Sequence, residues 1–145
     1  MKFLYFGDKH ERRIAPENRM DDYAQTIKAK TEEIISIGRE HKIQAFLQPG
    51  DFFDSPNPGN EFVSEVASMW NGGNANDLLS KYRSGQLQPN EVLKAMNDHT
   101  PIIGVAGNHE LFGNNINTID KTAIGLLNKW GLMQFATKEK PYYFY

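Results

Sequence analysis

Hydrophobic residues in this chain fall into two alternating patterns, short unbroken runs and stripes at three- and four-residue steps, and the alternation predicts strands and helices in turn. The first run, Lys2 to Phe6, is apolar and aromatic, stops at Gly7, and reads as a strand buried on both faces. After a loop containing Pro16 comes an amphipathic helix whose stripe is Tyr23, Ala24, Ile27, Ile34, Ile35 and Ile37, ending near His41. A second strand runs from Ile43 to Gln48 and is stopped by Pro49, Gly50 and Asp51. From Ser55 to Thr100 the pattern is helical. Phe62, Val63, Val66, Met69 and Trp70 make one stripe, Asn71 to Asn76 a loop, and Pro89 opens a helix carrying Val92, Leu93 and Met96. The third strand, Ile102 to Ala106, ends at Gly107. Thr118 is placed to cap a last helix with the stripe Ile119, Ala123, Leu126, Leu127 and Trp130, closed by Gly131. Short strands are expected near Leu132 to Ala136 and Pro141 to Tyr145. Strand, helix and strand in succession imply parallel strands joined by right-handed crossovers, hence an α/β fold around a mostly parallel sheet.

With 145 residues, the chain has the size of one domain, taken as 1–145. It has no apolar run near the roughly 20 residues that span a bilayer and no secretion-type amino end, which predicts a soluble cytoplasmic protein with no membrane partner. With no cysteine, any metal must be held by Asp, Glu, His, Asn or backbone oxygen. A formal charge of −2 argues against gripping nucleic acid by a general basic surface. A cation held by carboxylates would still reach a phosphate.

The chemistry gathers where the strands end. Each of the three strand-to-helix turns carries potential metal ligands: Asp8 with His10, Asp51 with Asp54, and Asn108 with His109. In an open α/β sheet, ligands bind beyond the carboxyl ends of parallel strands, so the three turns are expected to share one crevice. The alternation Asp8-Lys9-His10 puts two donors on one side of an extended segment, and Asp51 is placed to bridge to a second cation. Two cations about 3.5–4 Å apart are what phosphoester hydrolysis uses to polarise the phosphate and stabilise both oxygens of an in-line displacement. Mixed Asp, Asn and His donors suit Mn, Fe or Zn. His109, beside the metals, is the candidate to protonate the leaving oxygen.

At these residues the sequence resembles the calcineurin-like metallophosphoesterase family, whose motifs DxH, GDxxD and GNH[ED] stand here as Asp8-Lys9-His10, Gly50-Asp51-Phe52-Phe53-Asp54 and Gly107-Asn108-His109-Glu110. The resemblance implies a layered α/β sandwich. It also implies that Asp8 and His10 bind the first metal, Asp51 bridges, Asn108 binds the second, and His109 lies close to the scissile phosphate. Asp54 and Glu110 would support those groups from behind. Within the family, Gly50 to Pro58, Pro101 to Glu110, and Arg19 and Asp22 before the first helix look most like the SbcD-type nuclease subunit and related phage recombination nucleases. That likeness implies manganese-dependent cleavage of DNA in repair or recombination, with an SbcC-type ATPase as partner and a homodimer of the full-length protein as a candidate assembly. The segment from Asp54 to Asn108 is longer than the subgroup leads one to expect, which marks residues 71–88 as an insertion.

The family completes its site with histidines from downstream motifs, and none is present here. His41 and His99 precede their strands, about 20 Å from the metals for a six-residue strand. The chain is therefore expected to be the amino-terminal part of the domain, ending before a second sheet is complete, with metal bound weakly unless another chain supplies the remainder. Lys9, Arg12 and Arg13 are candidates to meet a phosphate backbone. Phe52 and Phe53 are expected in the core rather than as a base-stacking platform, and Trp70 and Trp130 lie on helical stripes and are taken as core. Two other functions fit the same residues: a phosphatase or phosphodiesterase acting on a small or protein substrate, and a non-catalytic assembly module keeping half a metal site.

Overall fold

All four strands of the sheet are shorter than the apolar runs that predict them. The computed structural model describes residues 1–71, 80–91 and 100–136. In these, β1 (Phe3–Tyr5), β2 (Ala45–Gln48), β3 (Ile102–Gly104) and β4 (Met133–Phe135) form one sheet in the order β1-β2-β3-β4, each pair parallel. The expected parallel α/β architecture is thus observed. One expectation is overturned at β1: Phe3 and Tyr5 are exposed, Tyr5 by 67%. Phe3 and Tyr5 lie on the face opposite Leu4 and Phe46, away from the helices, and among the described residues β1 is paired only by β2, whereas β3, flanked on both sides, is buried throughout.

The helices are α1 (Tyr23–Glu40), α2 (Asn60–Trp70) and α3 (Ala123–Lys129). The α1 helix begins where Asp22 accepts a hydrogen bond from the Gln25 N–H, while Arg19 and Thr26 tie down the neighbouring Asp21. Phe46, Ile102 and Met133 lie in register across β2, β3 and β4, so they share one face of the sheet. All three helices pack on that face. Gly38 of α1 lies on the Phe46 ring, so closely that a Cβ there would come within 2.6 Å of it. Trp70 of α2 stacks on Phe6 at 5.4 Å and meets Phe46 edge-on at 5.2 Å. Ile124 and Leu127 of α3 complete the cluster. Consecutive parallel strands with right-handed crossovers put every connecting helix on the same side. Phe52 and Phe53, both wholly buried, belong to this core as expected.

The last helix starts later than its stripe predicts. Residues Ile116–Lys121 wind as a 3-10 turn, and the hydroxyl that caps α3 belongs to Thr122, which accepts from the Gly125 N–H. Thr118 accepts instead from the Phe112 N–H and donates to the Asn115 carbonyl. Trp130 follows the last turn of α3 and is 53% exposed, so it is not core; Gly131, at a φ of 76°, ends the helix as expected. Residues 89–91 are helical, as Pro89 predicts, while residues 92–99, the strand expected at Pro141 to Tyr145 and residues 72–79 of the insertion proposed at 71–88 lie outside the described residues. Among the described residues no helix is long and apolar enough to cross a membrane.

Gly125 is packed against backbone. A Cβ at this position would lie 2.0 Å from the Ile119 carbonyl oxygen, so α3 seats itself on the preceding 3-10 turn only because the side chain is absent. Helix propensity alone favours Gly125→Ala by about 1 kcal/mol. We expect the opposite sign, a net loss of about 1–3 kcal/mol from forced separation, read as a lower midpoint in thermal denaturation.

Candidate metal centre

Strand pairing does not stop at the strand ends here. Beyond β1 the chain stays alongside the chain beyond β2: the His10 and Glu11 N–H groups donate to the Asp51 and Phe52 carbonyls at 2.9 and 2.7 Å, and the Asp54 N–H donates back to Glu11 at 3.1 Å. Backbone bonds thus set the height of Asp8 and His10 relative to Asp51 and Asp54. His10 is not in the extended conformation that its alternation with Asp8 suggests. Its φ is 47°, and Asp51 also lies in the left-handed region at 52°.

The turn after β2 is shaped by Gln48, a buried polar residue that the sequence reading left out. Its side-chain amide bonds both the N–H and the carbonyl of Gly50. The turn after β3 then closes on it. A Cβ on Gly107 would lie 2.1 Å from Asp51 Oδ1 and 2.3 Å from the Asp51 backbone nitrogen, so the second motif meets the third only because this residue has no side chain. The Asn108–Glu110 segment forms a 3-10 turn, and the His109 N–H donates to Asp51 Oδ1 at 3.0 Å. Glu110, almost wholly buried, accepts from the N–H groups of Asp51 at 3.1 Å, Phe53 at 2.9 Å and Gly107 at 2.8 Å. Burial pushes the Glu110 carboxyl above its ordinary value, partly offset by these N–H donors, with the Asp51 charge adding to the rise. One carboxylate therefore ties the two turns together.

Two donor groups result. Asp8, His10 and Asp51 offer ligand atoms that all lie within 4.8 Å of one another, and so do His10, Asp54 and His109. His10 belongs to both. Its Nδ1 lies 3.1 Å from Asp54 Oδ1, its ring meets that of His109 edge-on at 4.9 Å, and His109 Nδ1 is 4.0 Å from the same Asp54 oxygen. Arg12 donates to Asp54 Oδ2 at 3.0 Å. Asn108 is exposed on the turn whose backbone bonds Asp51. Asp8 and Asp51 converge without an ion-pair partner among the described residues, and this oxygen and nitrogen donor set, lacking thiolate, fits a divalent cation of intermediate hardness.

A family model for calcineurin-like phosphoesterases matches residues 1–143 of the chain. The chain belongs to that family. No individual curated protein matches it significantly. Membership implies metal-dependent hydrolysis of a phosphoester, and the described residues include two groups of Asp and His that could hold a metal ion.

The expected phosphate contacts fare differently in this phosphoesterase. Lys9 is not available: its ammonium is buried against Glu11 at 2.5 Å, and it also bonds Thr31. Arg13 pairs with Glu61 at 2.9 Å on the exposed surface. Only Arg12, half-buried beside Asp54, adjoins the donor groups. His41 is exposed at the end of α1, and His99 lies outside the described residues. Glu11 and Thr31, buried polar residues behind the centre, escaped the sequence reading; the sole signal was a third charged residue following the DxH motif.

Proposed function

We propose that this calcineurin-like phosphoesterase hydrolyses phosphodiester bonds in DNA. Asp8, His10, Asp51 and Asn108 would hold two divalent cations, Mn²⁺ foremost, with Fe or Zn as alternatives. The observation that carries this reading is the convergence of all three strand-end turns on Asp51, whose carboxylate shares one cluster with Asp8 and His10 and accepts from the His109 N–H. When bound, the cations supply Lewis acidity toward the phosphate and stabilise charge on the attacking and leaving oxygens.

The chain's own residues do the rest. Because Asp54 engages His10 at Nδ1, Nε2 is the nitrogen left for a cation, the arrangement in which a carboxylate fixes the tautomer of a ligating imidazole. His109 turns Nδ1 toward the same carboxylate, which leaves its Nε2 to deliver a proton to the departing sugar oxygen. Both Asp54 oxygens are engaged, by His10 and by Arg12. The group formed by His10, Asp54 and His109 is therefore better read as one carboxylate orienting two imidazoles than as a separate cation site. Arg12, which adjoins the donor groups through Asp54, would be the cation that meets a phosphate oxygen. We expect His109→Gln to lower kcat by about 10²–10⁴-fold while leaving Mn²⁺ uptake, measured by calorimetry, unchanged.

The DNA substrate and an SbcC-type ATPase partner are supported by the likeness of Gly50 to Pro58 and Pro101 to Glu110 to the SbcD-type subunit. A small phosphoester as substrate is favoured by one observation: of the candidate phosphate contacts Lys9, Arg12 and Arg13, Lys9 and Arg13 are committed to glutamates. Release of nucleotides from linear duplex DNA with Mn²⁺, assayed beside hydrolysis of small phosphoesters, separates the two. Turnover of small esters alone overturns the nuclease reading.

A further inference from the structure

Lys9 and Glu11 flank His10 in the chain, yet their side chains reach α1 instead of the donor groups. Lys9 Nζ lies 2.5 Å from Glu11 Oε1 and 2.5 Å from Thr31 Oγ1. Thr31 closes the triangle, its hydroxyl oxygen 3.2 Å from Glu11 Oε1 and 3.0 Å from the Ile27 carbonyl. The Lys9 and Glu11 side chains retain 8% and 3% of their exposure, and Thr31 none.

Stability alone explains this triangle poorly. Replacing a buried ion pair with apolar side chains of similar volume is often neutral or stabilising, because the two desolvation costs rival the mutual attraction. Direction is what such a pair adds, and His10 needs it. Its left-handed backbone is one that an L side chain adopts only when the surroundings over-determine it. On one side, the bonds to Asp51 and Phe52 fix the main chain. On the other, the two neighbouring side chains are pinned to a single hydroxyl on α1.

We infer that Lys9, Glu11 and Thr31 are positioning residues that hold His10 in this conformation, with Nδ1 on Asp54 and Nε2 toward the cation, so that α1 sets the affinity of the metal centre. This rests on the metal-centre reading above. None of the three touches the reacting atoms.

Two variants of the full chain test it. Lys9→Met/Glu11→Met removes both charges and strands neither; Thr31→Val removes the hydroxyl at nearly constant shape, and Thr31→Ser returns it. We expect the double variant to melt at or above the wild-type temperature, and both it and Thr31→Val to bind Mn²⁺ about tenfold or more weakly by calorimetry, as substitutions behind a ligand do. Thr31→Ser should restore binding. Without metal, the nitrogen-15 spectrum of the His10 ring should lose its Asp54-bonded Nδ1–H signature in Thr31→Val at temperatures well below melting, where a merely structural role leaves it unchanged. Should the double variant fail to fold, the Thr31 pair decides. Wild-type affinity together with unaltered His10 signals in folded Thr31→Val overturns the inference. A wild-type chain that takes up no Mn²⁺ overturns the metal-centre reading, and the metal-free His10 signals then decide the positioning separately.

Discussion

Asp51→Asn is expected to abolish hydrolysis while leaving the fold intact. Asn can still accept the His109 N–H through its amide oxygen, so the bond that joins the second turn to the third survives. What disappears is the negative charge that Asp51 brings to the group it forms with Asp8 and His10. In the proposed role, bridging two cations, Asp51 would support several kcal/mol of charge stabilisation, so kcat/KM should fall on the order of 10³-fold or more. Steady-state kinetics at saturating Mn²⁺, beside a circular dichroism melt, provides the check. Undiminished turnover contradicts the bridging role. Chelation of the wild-type protein should give the same loss, reversed by adding Mn²⁺.

Glu110→Ala should act on stability instead. It leaves the N–H groups of Asp51, Phe53 and Gly107 without their acceptor in a buried setting. Each of the three orphaned donors costs about 1–3 kcal/mol, so the sum is on the order of 3–9 kcal/mol. That approaches the roughly 5–15 kcal/mol by which domains are stable at all. A large fall in the urea midpoint is expected, and a midpoint within a few tenths molar of wild type contradicts the role as a tie between turns. Glu110→Gln should recover only part of the loss, since its amide nitrogen would face donors.

The two effects separate what the sequence shows from what it hides. The apolar runs and polar stops were enough to place the strands and to bring Asp8, His10 and Asp51 together at their carboxyl ends, because parallel register leaves few alternatives. What periodicity cannot express is that the face of β1 away from the helices exposes Phe3 and Tyr5, or the switch from α to 3-10 winding that moves a cap from Thr118 to Thr122. Nor does it show which charged residue a buried partner will claim. Lys9 and Arg12 read alike as exposed loop cations, yet one is sealed against Glu11 and Thr31 and the other opens beside Asp54. Side-chain pairing of this kind depends on contacts across 22 or 42 positions of chain, which a local pattern does not carry.

The contact between the motif glycines and the Asp51 backbone decouples the centre from the length of its connections. At Gly50 and Gly107 main chain approaches main chain, and Glu110 bonds backbone on both sides. Everything between Asp54 and Pro101 is tethered at both ends by strand register, and lengthening it carries only the slowly growing entropy of a larger loop. Residues can thus be added to that connection while Asp8, His10 and Asp51 keep their spacing.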